Sequence, residues 1–137
     1  MPDNGPMRKK LTALGKSAKH RHDRPSKETL EWFPNPMRGN CEIEITAPEF
    51  TTLCPMTGQP DFAVILIRYV PDKRCVESKS LKLYLGAFRM HGIFHEACVQ
   101  KIADDLIGVL RPRKLFVEGQ FTPRGGIKFW PRVSYSR

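Results

Sequence analysis

The sequence has no long hydrophobic run. The longest uninterrupted apolar stretch, Phe62–Ile67, ends at Arg68, whereas a membrane-spanning helix needs about 20 apolar residues. The N-terminal residues 1–4 lead into no apolar segment of the kind that a secretory signal contains. We therefore expect a cytoplasmic protein with no membrane partner, and 137 residues suffice for one domain with its own core.

Cysteine is scarce, and its spacing is typical of neither a zinc knuckle nor a redox motif. The four cysteines, Cys41, Cys54, Cys75 and Cys98, include no Cys-x-x-Cys pair. Because no secretory signal is evident, we expect free thiols in a reducing compartment. One of these thiols can then act as a nucleophile.

Positive charge exceeds negative charge, and the formal net charge is +9. Most of the excess lies in residues 1–27, which contain few large apolar side chains and no Phe, Trp or Tyr. We interpret them as a basic, flexible tail before a single domain, residues 28–137. The tail is either an arm that attracts a polyanion or a solvated leader. Without interleaved aromatics it has no stacking platform, so we expect no direct nucleic-acid binding.

Hydrophobic periodicity predicts six elements in the order β-β-α-α-β-β. The fold class is therefore α+β, an antiparallel sheet with two helices on one face. Four strands cannot close a barrel alone, and open sheet edges are a liability unless they are paired. We therefore expect a homo-oligomer that pairs strands between subunits. The predicted elements are strands 40–46 and 61–70, helices 80–90 and 95–110, and strands 114–121 and 127–135, with 47–60 as a loop.

A cysteine and a carboxylate flank the start of the second strand. Cys54 lies in the preceding loop, and Asp61 lies where the strand begins. A thiolate is a nucleophile in a polar or electropositive setting. A carboxylic acid donates a proton at neutral pH when its pKa is raised, usually by burial. The pair suits a nucleophile and a proton donor, but its spacing is equally typical of a structural cysteine and a strand-initiating aspartate.

Two lysines, Lys79 and Lys82, lie at the start of the first predicted helix, which Ser78 or Ser80 would cap. Their charges add to the free backbone N–H groups there and favour an anion. The same lysines also suit an exposed cationic helix face. Arg124, followed by two glycines, would add a phosphate contact because glycine lets the backbone approach closely.

The segment before the second helix contains two histidines, His91 and His95. Their spacing would suit metal ligands, but Gly92 weakens a continuous helix and no third ligand is close in sequence. We expect Glu96 to be buried at a helix start, where it would accept hydrogen bonds from a guanine-like or pterin-like ring, with Phe94 as an apolar wall. Alternatively, the histidine and glutamate are simply a polar helix cap.

In order along the chain, these motifs resemble those of the NADPH-dependent 7-cyano-7-deazaguanine reductases, the QueF family of queuosine biosynthesis. The resemblance covers about residues 28–137. Glu77–Tyr84 is similar to the family signature of Glu, Ser or Leu, Lys, Ser or Ala, an apolar residue, Lys, Leu or Tyr, and an aromatic. The loop from Cys54 to Phe62 and the tripeptide ending at Glu96 are also similar to family motifs.

The resemblance implies a short, single-module member with the β-β-α-α-β-β tunnelling fold. Subunits of this fold pair strands into oligomeric barrels, commonly as a decamer of two pentamers. The implied reaction reduces the nitrile of 7-cyano-7-deazaguanine (preQ0) to the primary amine of 7-aminomethyl-7-deazaguanine (preQ1), a precursor for tRNA modification. Two NADPH supply four electrons, and no metal takes part in the chemistry. The sequence lacks Gly-x-Gly-x-x-Gly, so NADPH would not bind through a Rossmann fold.

The same resemblance implies a role for each matching residue. Cys54 would add to the nitrile carbon to form a covalent thioimide, and Asp61 would protonate the nitrogen. The residues that would hold the deazaguanine ring are Val76, Glu77, Ser78, His95 and Glu96, and those that would hold the cofactor phosphates are Lys79, Lys82 and Arg124.

Two alternatives remain open on the sequence alone. A zinc-dependent GTP cyclohydrolase, or another pterin- or purine-binding enzyme of the tunnelling fold, would need Cys and His ligands that converge on a metal. Such an enzyme would leave the pairing of Cys54 with Asp61 unexplained. An RNA-binding module would suit the net charge, but that charge lies in the tail and no RNA-recognition aromatic motif is present.

Overall fold

A four-stranded antiparallel sheet forms the frame on which the described helices pack. The computed structural model describes residues 22–137. The large sheet follows the strand order β2-β3-β5-β6, and β1 pairs with β4 in a small second sheet. The elements are a 3₁₀ turn (Lys27–Thr29), β1 (Trp32–Pro34), β2 (Ile43–Leu53), β3 (Pro60–Val70), β4 (Arg74–Val76), α1 (Ser78–Gly86), α2 (His95–Leu110), β5 (Lys114–Phe121) and β6 (Arg132–Ser136).

The core lies between the large sheet and the buried stripe of α2. Alternate side chains of β3, among them Ile65 and Ile67, are fully buried because successive strand residues point to opposite faces. Ile102 and Leu106 of α2 belong to the same buried cluster. Burying one such side chain stabilises the fold by about 1.5–3 kcal/mol. These contacts therefore fix the position of α2, including its first turn, relative to the sheet.

The structure confirms the α+β class, the relative order of the six predicted elements and the residue ranges of α2 and β5, but it adds two short strands, β1 and β4, that the sequence did not predict. The strand β2 is longer than predicted, because it continues through part of the predicted loop to Leu53. A register shift between Ala47 and Phe50 accommodates Pro48, as irregularities in strands commonly do. Beyond the shift, Phe50 and Thr52 face the core again.

Several other boundaries differ from the prediction, and β2 begins at Ile43 instead of residue 40. The helix α1 begins at Ser78 because Glu77, rather than a serine, accepts hydrogen bonds from its first free amides. It also ends at Gly86 instead of residue 90. The last strand begins at Arg132 because residues 122–130 form an exposed connection. The proline-rich entry segment contains β1, which pairs with a strand far along the chain.

The predicted basic tail is described only from His22 onward, and residues 1–21 lie outside the described residues. Nδ1 of His22 lies 3.2 Å from the carbonyl oxygen of Gly86, at the end of α1. Ser26 caps the 3₁₀ turn. The division of the chain at residue 27 stays a prediction.

Candidate active site

Cys54 lies in a short turn that joins β2 to β3. Its backbone N–H donates to the carbonyl oxygen of Gln59 at 2.8 Å, and the N–H of Gly58 donates to the Cys54 carbonyl oxygen at 2.9 Å. Gly58 has φ +72°, a left-handed conformation that glycine adopts at little steric cost. The turn is therefore closed by its own backbone, which fixes the position of Cys54.

The same turn sets the electrostatics of the thiol. The Thr57 hydroxyl and the backbone N–H groups of Thr57 and Met56 donate hydrogen bonds toward the sulfur, and Arg124 adds a nearby positive charge. Together they lower the pKa of Cys54 below its ordinary value, although partial desolvation acts in the opposite direction. A lower thiol pKa raises the fraction of the nucleophilic thiolate at neutral pH.

Two of the other cysteines have the opposite environment. Burial raises the pKa of Cys98 to about 12, and burial also raises the pKa of Cys75. All four cysteines are free thiols. Of the three with a shifted pKa, Cys54 alone is shifted toward the thiolate.

Asp61 is buried at the start of β3, with 6% of its surface exposed. Its Oδ1 lies 2.5 Å from Nη2 of Arg124, and its Oδ2 lies 3.4 Å from Nε2 of His95. Each carboxylate oxygen therefore faces a side-chain nitrogen. Arg124, predicted as a cofactor residue, directly contacts the predicted proton donor.

His95 is the first residue of α2, and two aromatic contacts hold its ring. The imidazole stacks on Phe121 of β5, with ring centroids 3.8 Å apart and planes inclined by 7°. Phe129 meets it edge-on at 6.2 Å. These contacts fix the ring so that Nε2 faces Asp61. Glu96 follows in the first turn of α2 and is exposed, so the prediction that it is buried was wrong: its side chain lies away from the buried stripe of the helix.

A close backbone approach joins the Cys54 turn to the segment before α2. Two hydrogen bonds of 3.1 Å connect Leu53 to the residues on either side of Gly92. A β-carbon on Gly92 would lie 3.2 Å from the Cα of Pro55, which is closer than an ordinary contact. Gly92 therefore allows the end of β2 to lie beside the segment that leads to α2. The same residue is the one whose presence in the sequence weakens a continuous helix.

These side chains converge on a cavity of about 290 Å³, which we call the reaction cavity. Its lining includes a thiol, carboxylates and a guanidinium, together with the exposed apolar side chains of Ile127 and Phe129. Such a site offers a planar polar ring an apolar wall, hydrogen-bond acceptors and a nucleophile. The predicted residues that line it are Cys54, Asp61, Phe94, His95, Glu96 and Arg124.

The other predicted residues lie at the N-terminal end of α1. Val76, Ser78 and Lys82 line a second cavity of about 800 Å³, whose walls are mainly apolar side chains of β1, β2 and α1. We call it the α1 cavity. Within residues 22–137, no side chain lines both cavities. A single chain therefore does not bring this group of predicted residues to Cys54.

Glu77 has a structural role that the sequence prediction missed. Its carboxylate is buried and accepts hydrogen bonds from the backbone N–H groups of Lys79 and Ser80, at 2.8 Å and 2.7 Å. The Ser80 hydroxyl donates to the Glu77 carbonyl oxygen at 2.8 Å. A carboxylate at this position also interacts favourably with the helix dipole. Any contact of Glu77 with a ligand must share these oxygens with the helix cap.

Sequence reasoning also missed residues that support the site. Thr57 lies within the loop predicted for residues 47–60, and a hydroxyl close after a cysteine in a tight turn is a usable signal for a stabilised thiolate. Phe121 was correctly assigned to a strand. Its stacking on His95 depends on how α2 crosses β5, for which no local sequence signal exists.

Two kinds of feature are not found within residues 22–137. No three His, Cys, Asp or Glu side chains in this part of the chain are grouped as a cation would require. None of its helices is both long enough and apolar enough to cross a membrane. The site is therefore described by its thiol, carboxylates, imidazole and guanidinium.

Comparisons with known proteins agree with this geometry. A family model described as "QueF-like protein" matches residues 60–137. The NADPH-dependent 7-cyano-7-deazaguanine reductase of Streptococcus mutans is 52% identical over 130 residues, which cover 94% of this chain and 80% of that protein. The protein of that name from Porphyromonas gingivalis is also 52% identical, covering 94% and 84%. The one from Bacteroides thetaiotaomicron is 49% identical over 132 residues, covering 96% and 87%.

The fold has a counterpart among solved structures. The crystal structure of the archaeosine synthase QueF-Like in the apo form matches with a TM-score of 0.65 at 13% identity, over 71% of this chain and 95% of that one. At this identity the likeness shows the fold alone, which is the expected tunnelling fold. The sequence identity to the reductases decides between the family and the cyclohydrolase and RNA-binding alternatives. This chain belongs to the QueF family of NADPH-dependent 7-cyano-7-deazaguanine reductases.

Proposed function

We propose that this protein reduces the nitrile of 7-cyano-7-deazaguanine to the primary amine, with NADPH as the source of both hydrides. The observation that carries the proposal is the reaction cavity, where Cys54, with its lowered thiol pKa, and the buried Asp61 line the same space. The family assignment supplies the substrate and the reductant. The reaction belongs to the cytoplasm in this proposal, where free thiols stay reduced.

The first step forms a covalent bond to Cys54. The thiolate adds to the electrophilic nitrile carbon, one π bond of the nitrile breaks, and Asp61 gives its proton to the nitrogen. The product is a thioimide, as expected for nucleophilic catalysis by a thiol of lowered pKa. Arg124 and His95 face the two oxygens of Asp61 and hold the carboxyl toward the cavity.

Two NADPH molecules, bound in turn, would each supply one hydride, the first for the thioimide carbon and the second for the imine carbon, and a proton from solvent would complete the amine nitrogen. Between these events the C–S bond breaks and Cys54 leaves as a thiolate. The imine would hydrolyse in water, so it has to remain sequestered. Phe94, Ile127 and Phe129 form the apolar wall that would limit the access of water.

Recognition of the deazaguanine ring is divided between two groups of residues. Glu96 and His95 lie at the reaction cavity and present acceptors and an aromatic ring face. Val76, Glu77 and Ser78 lie at the α1 cavity or beside it. We propose that neighbouring subunits unite the two groups in a homo-oligomer, a decamer of two pentamers. The edge strands β2 and β6 are then available for pairing between subunits.

Cofactor phosphates would be bound by cations from both groups. Arg124 lies at the reaction cavity beside Asp61, and its planar fork of donors suits a phosphate. Lys79 and Lys82 lie in the first turns of α1, where helix N-termini favour anions. These assignments predict that loss of any of the three cations raises the KM for NADPH.

The test is intact-protein mass spectrometry after addition of 7-cyano-7-deazaguanine without NADPH. The wild type should gain one substrate mass, which NADPH then discharges as the amine. Cys54→Ala should show no adduct. Cys41→Ala is the matched control because it removes a half-buried cysteine outside the reaction cavity, and it should form the adduct. A wild type that forms no adduct and oxidises no NADPH with this substrate would contradict the proposed function.

A further inference from the structure

Thr52 of β2 is a buried residue with no part in the mechanism above. Its side chain has no solvent exposure, and its Oγ1 has no hydrogen-bond partner among the described residues. Buried polar groups are nearly always paired, because an unpaired one loses its hydration without compensation. Among the described buried side-chain atoms, no other oxygen or nitrogen is left unpaired in this way.

The unpaired hydroxyl lies beside the proposed proton donor. Thr52 is directly opposite Asp61 in the β2–β3 pair. Directly opposed residues of antiparallel strands project from the same face, with β-carbons about 4.5–5.5 Å apart. The burial pattern agrees, since both residues are buried while Phe62, next along β3, is exposed.

The adjacent threonine provides a contrast. Thr51 lies on the other face of β2, and its hydroxyl donates to the backbone carbonyl oxygen of Asp61 at 2.7 Å. This bond holds the backbone of β3 and not the carboxyl group. The two neighbouring threonines therefore offer matched variants, one beside the Asp61 carboxyl and one bonded to its backbone.

The present partners of the Asp61 carboxyl do not suit both of its protonation states equally. Arg124 has only N–H donors, which match a carboxylate and cannot accept a hydrogen bond from a protonated carboxyl. His95 lies at 3.4 Å, a long contact. Thr52 makes no hydrogen bond to the carboxyl in this structure, but a hydroxyl both donates and accepts. A turn of its side chain toward Asp61 would therefore give the carboxyl a partner before and after the proton leaves.

We propose that Thr52 is a positioning residue that holds the carboxyl of Asp61 against the nitrile nitrogen while the thioimide forms. In that step the S–C bond forms, one π bond of the nitrile breaks, and the proton of Asp61 moves to nitrogen, leaving a carboxylate that the hydroxyl retains as a donor. No oxidant or reductant takes part. The inference rests on the proposed function, and specifically on Asp61 as the proton donor.

The test compares Thr52→Val, which keeps the shape and removes the hydroxyl, with Thr52→Ser, which keeps the hydroxyl. The rate of adduct formation is measured on the full-length protein by rapid quenching and mass spectrometry, with saturating 7-cyano-7-deazaguanine and no NADPH. We expect Thr52→Val to react about tenfold more slowly, the effect of one hydrogen bond, and Thr52→Ser to stay within about twofold of the wild type. The concentration of 7-cyano-7-deazaguanine that gives half of the maximal rate of adduct formation should be unchanged.

Two controls separate positioning from a structural effect. Alkylation of Cys54 by iodoacetamide should be equally fast in Thr52→Val and the wild type, since the thiol turn is untouched. The Tm of Thr52→Val should not fall, because an apolar methyl replaces an unpaired hydroxyl. Thr51→Val should show the reverse, with a lower Tm and an unchanged rate of adduct formation. A slow Thr52→Ser, or a slowed alkylation in Thr52→Val, would overturn the proposal.

A double-mutant cycle tests whether Thr52 acts through Asp61. Thr52→Val should add no further loss in an Asp61→Asn background, and a full tenfold loss there overturns the proposal. If Asp61→Asn forms the adduct at the wild-type rate, Asp61 is not the donor and the Thr52 proposal fails while the covalent reaction stands. If the wild type forms no adduct, the proposed function itself has failed.

Discussion

The two cavities of this chain differ in the contacts that build them. At the reaction cavity, charged and polar side chains contact one another beside an apolar wall, with Asp61 between Arg124 and His95 and the Cys54 sulfur facing hydrogen-bond donors. The α1 cavity is mainly apolar, and the buried carboxylate next to it, Glu77, is bonded to the start of its own helix. The carboxylate at one cavity therefore contacts cationic or titratable side chains, whereas the carboxylate at the other caps a helix.

This difference shows that membership of a motif does not determine a residue's surroundings. Glu77 and Asp61 are both acidic, both buried and both parts of family-like motifs. Asp61 contacts side-chain nitrogens of Arg124 and His95, which both line the reaction cavity. Glu77 contacts backbone amides instead. Substitutions at the two positions should therefore separate a loss of rate from a loss of stability.

Asp61→Asn should produce the largest effect, because it removes the acidic proton and keeps the shape of the side chain. We expect the rate of NADPH oxidation at saturating substrate to fall by about 10²–10⁴, the usual contribution of general acid catalysis. Alkylation of Cys54 should persist and show that the nucleophile is intact. A rate close to that of the wild type would remove Asp61 from the mechanism.

Arg124→Ala and Lys82→Ala should differ in the parameter that they change. Both should raise the KM for NADPH, by about tenfold for Arg124, which offers two donors to a phosphate, and by about threefold for the exposed Lys82. Only Arg124→Ala should also lower kcat, because Arg124 contacts Asp61. Steady-state kinetics with NADPH as the varied substrate separate the two effects, and equal kcat values would show that the contact with Asp61 has no catalytic part.

Glu77→Ala should destabilise the protein by about 1 kcal/mol, the usual loss for a helix N-cap. Ser78→Ala is the matched control, because its hydroxyl makes only a long contact of 3.5 Å with Glu77. Denaturant unfolding measures both variants. Equal free energies of unfolding for the two would mean that the cap contributes little. A raised KM for 7-cyano-7-deazaguanine in Ser78→Ala would separately support its role in binding the ring.

Thr57→Val should produce the smallest change, confined to the pH dependence of Cys54. The Thr57 hydroxyl donates to the sulfur and lowers the pKa of the thiol, so its removal should raise that pKa. Alkylation by iodoacetamide should therefore be slower than in the wild type near neutral pH, and the two rates should converge at high pH, where both thiols are ionised. The control is Thr51→Val, because the Thr51 hydroxyl donates to a backbone carbonyl and not to the sulfur. It should leave unchanged the pH at which alkylation of Cys54 reaches half of its maximal rate. If Thr57→Val leaves this pH unchanged, the backbone N–H donors are enough to keep the pKa of Cys54 lowered.

Local signals account for the parts of the fold that were predicted correctly. The stripe of α2 and the apolar run of β5 repeat at the periods of a helix and a strand, and both elements have the predicted bounds. The end of β2 could not be predicted, because Pro48 is a local signal for a loop. The register shift beside it is decided by pairing with β3.

The amino-acid sequence by itself determined the order of the six main elements and the family, and it supplied the candidate reactive groups, since each depends on residue type and spacing along the chain. Only the tertiary structure decided which groups meet. Asp61 faces Arg124 because the β5–β6 connection returns to the start of β3. His95 faces Asp61 because its ring stacks on Phe121. Contacts between residues distant in sequence result from the packing of sheet and helix, and no short motif encodes them.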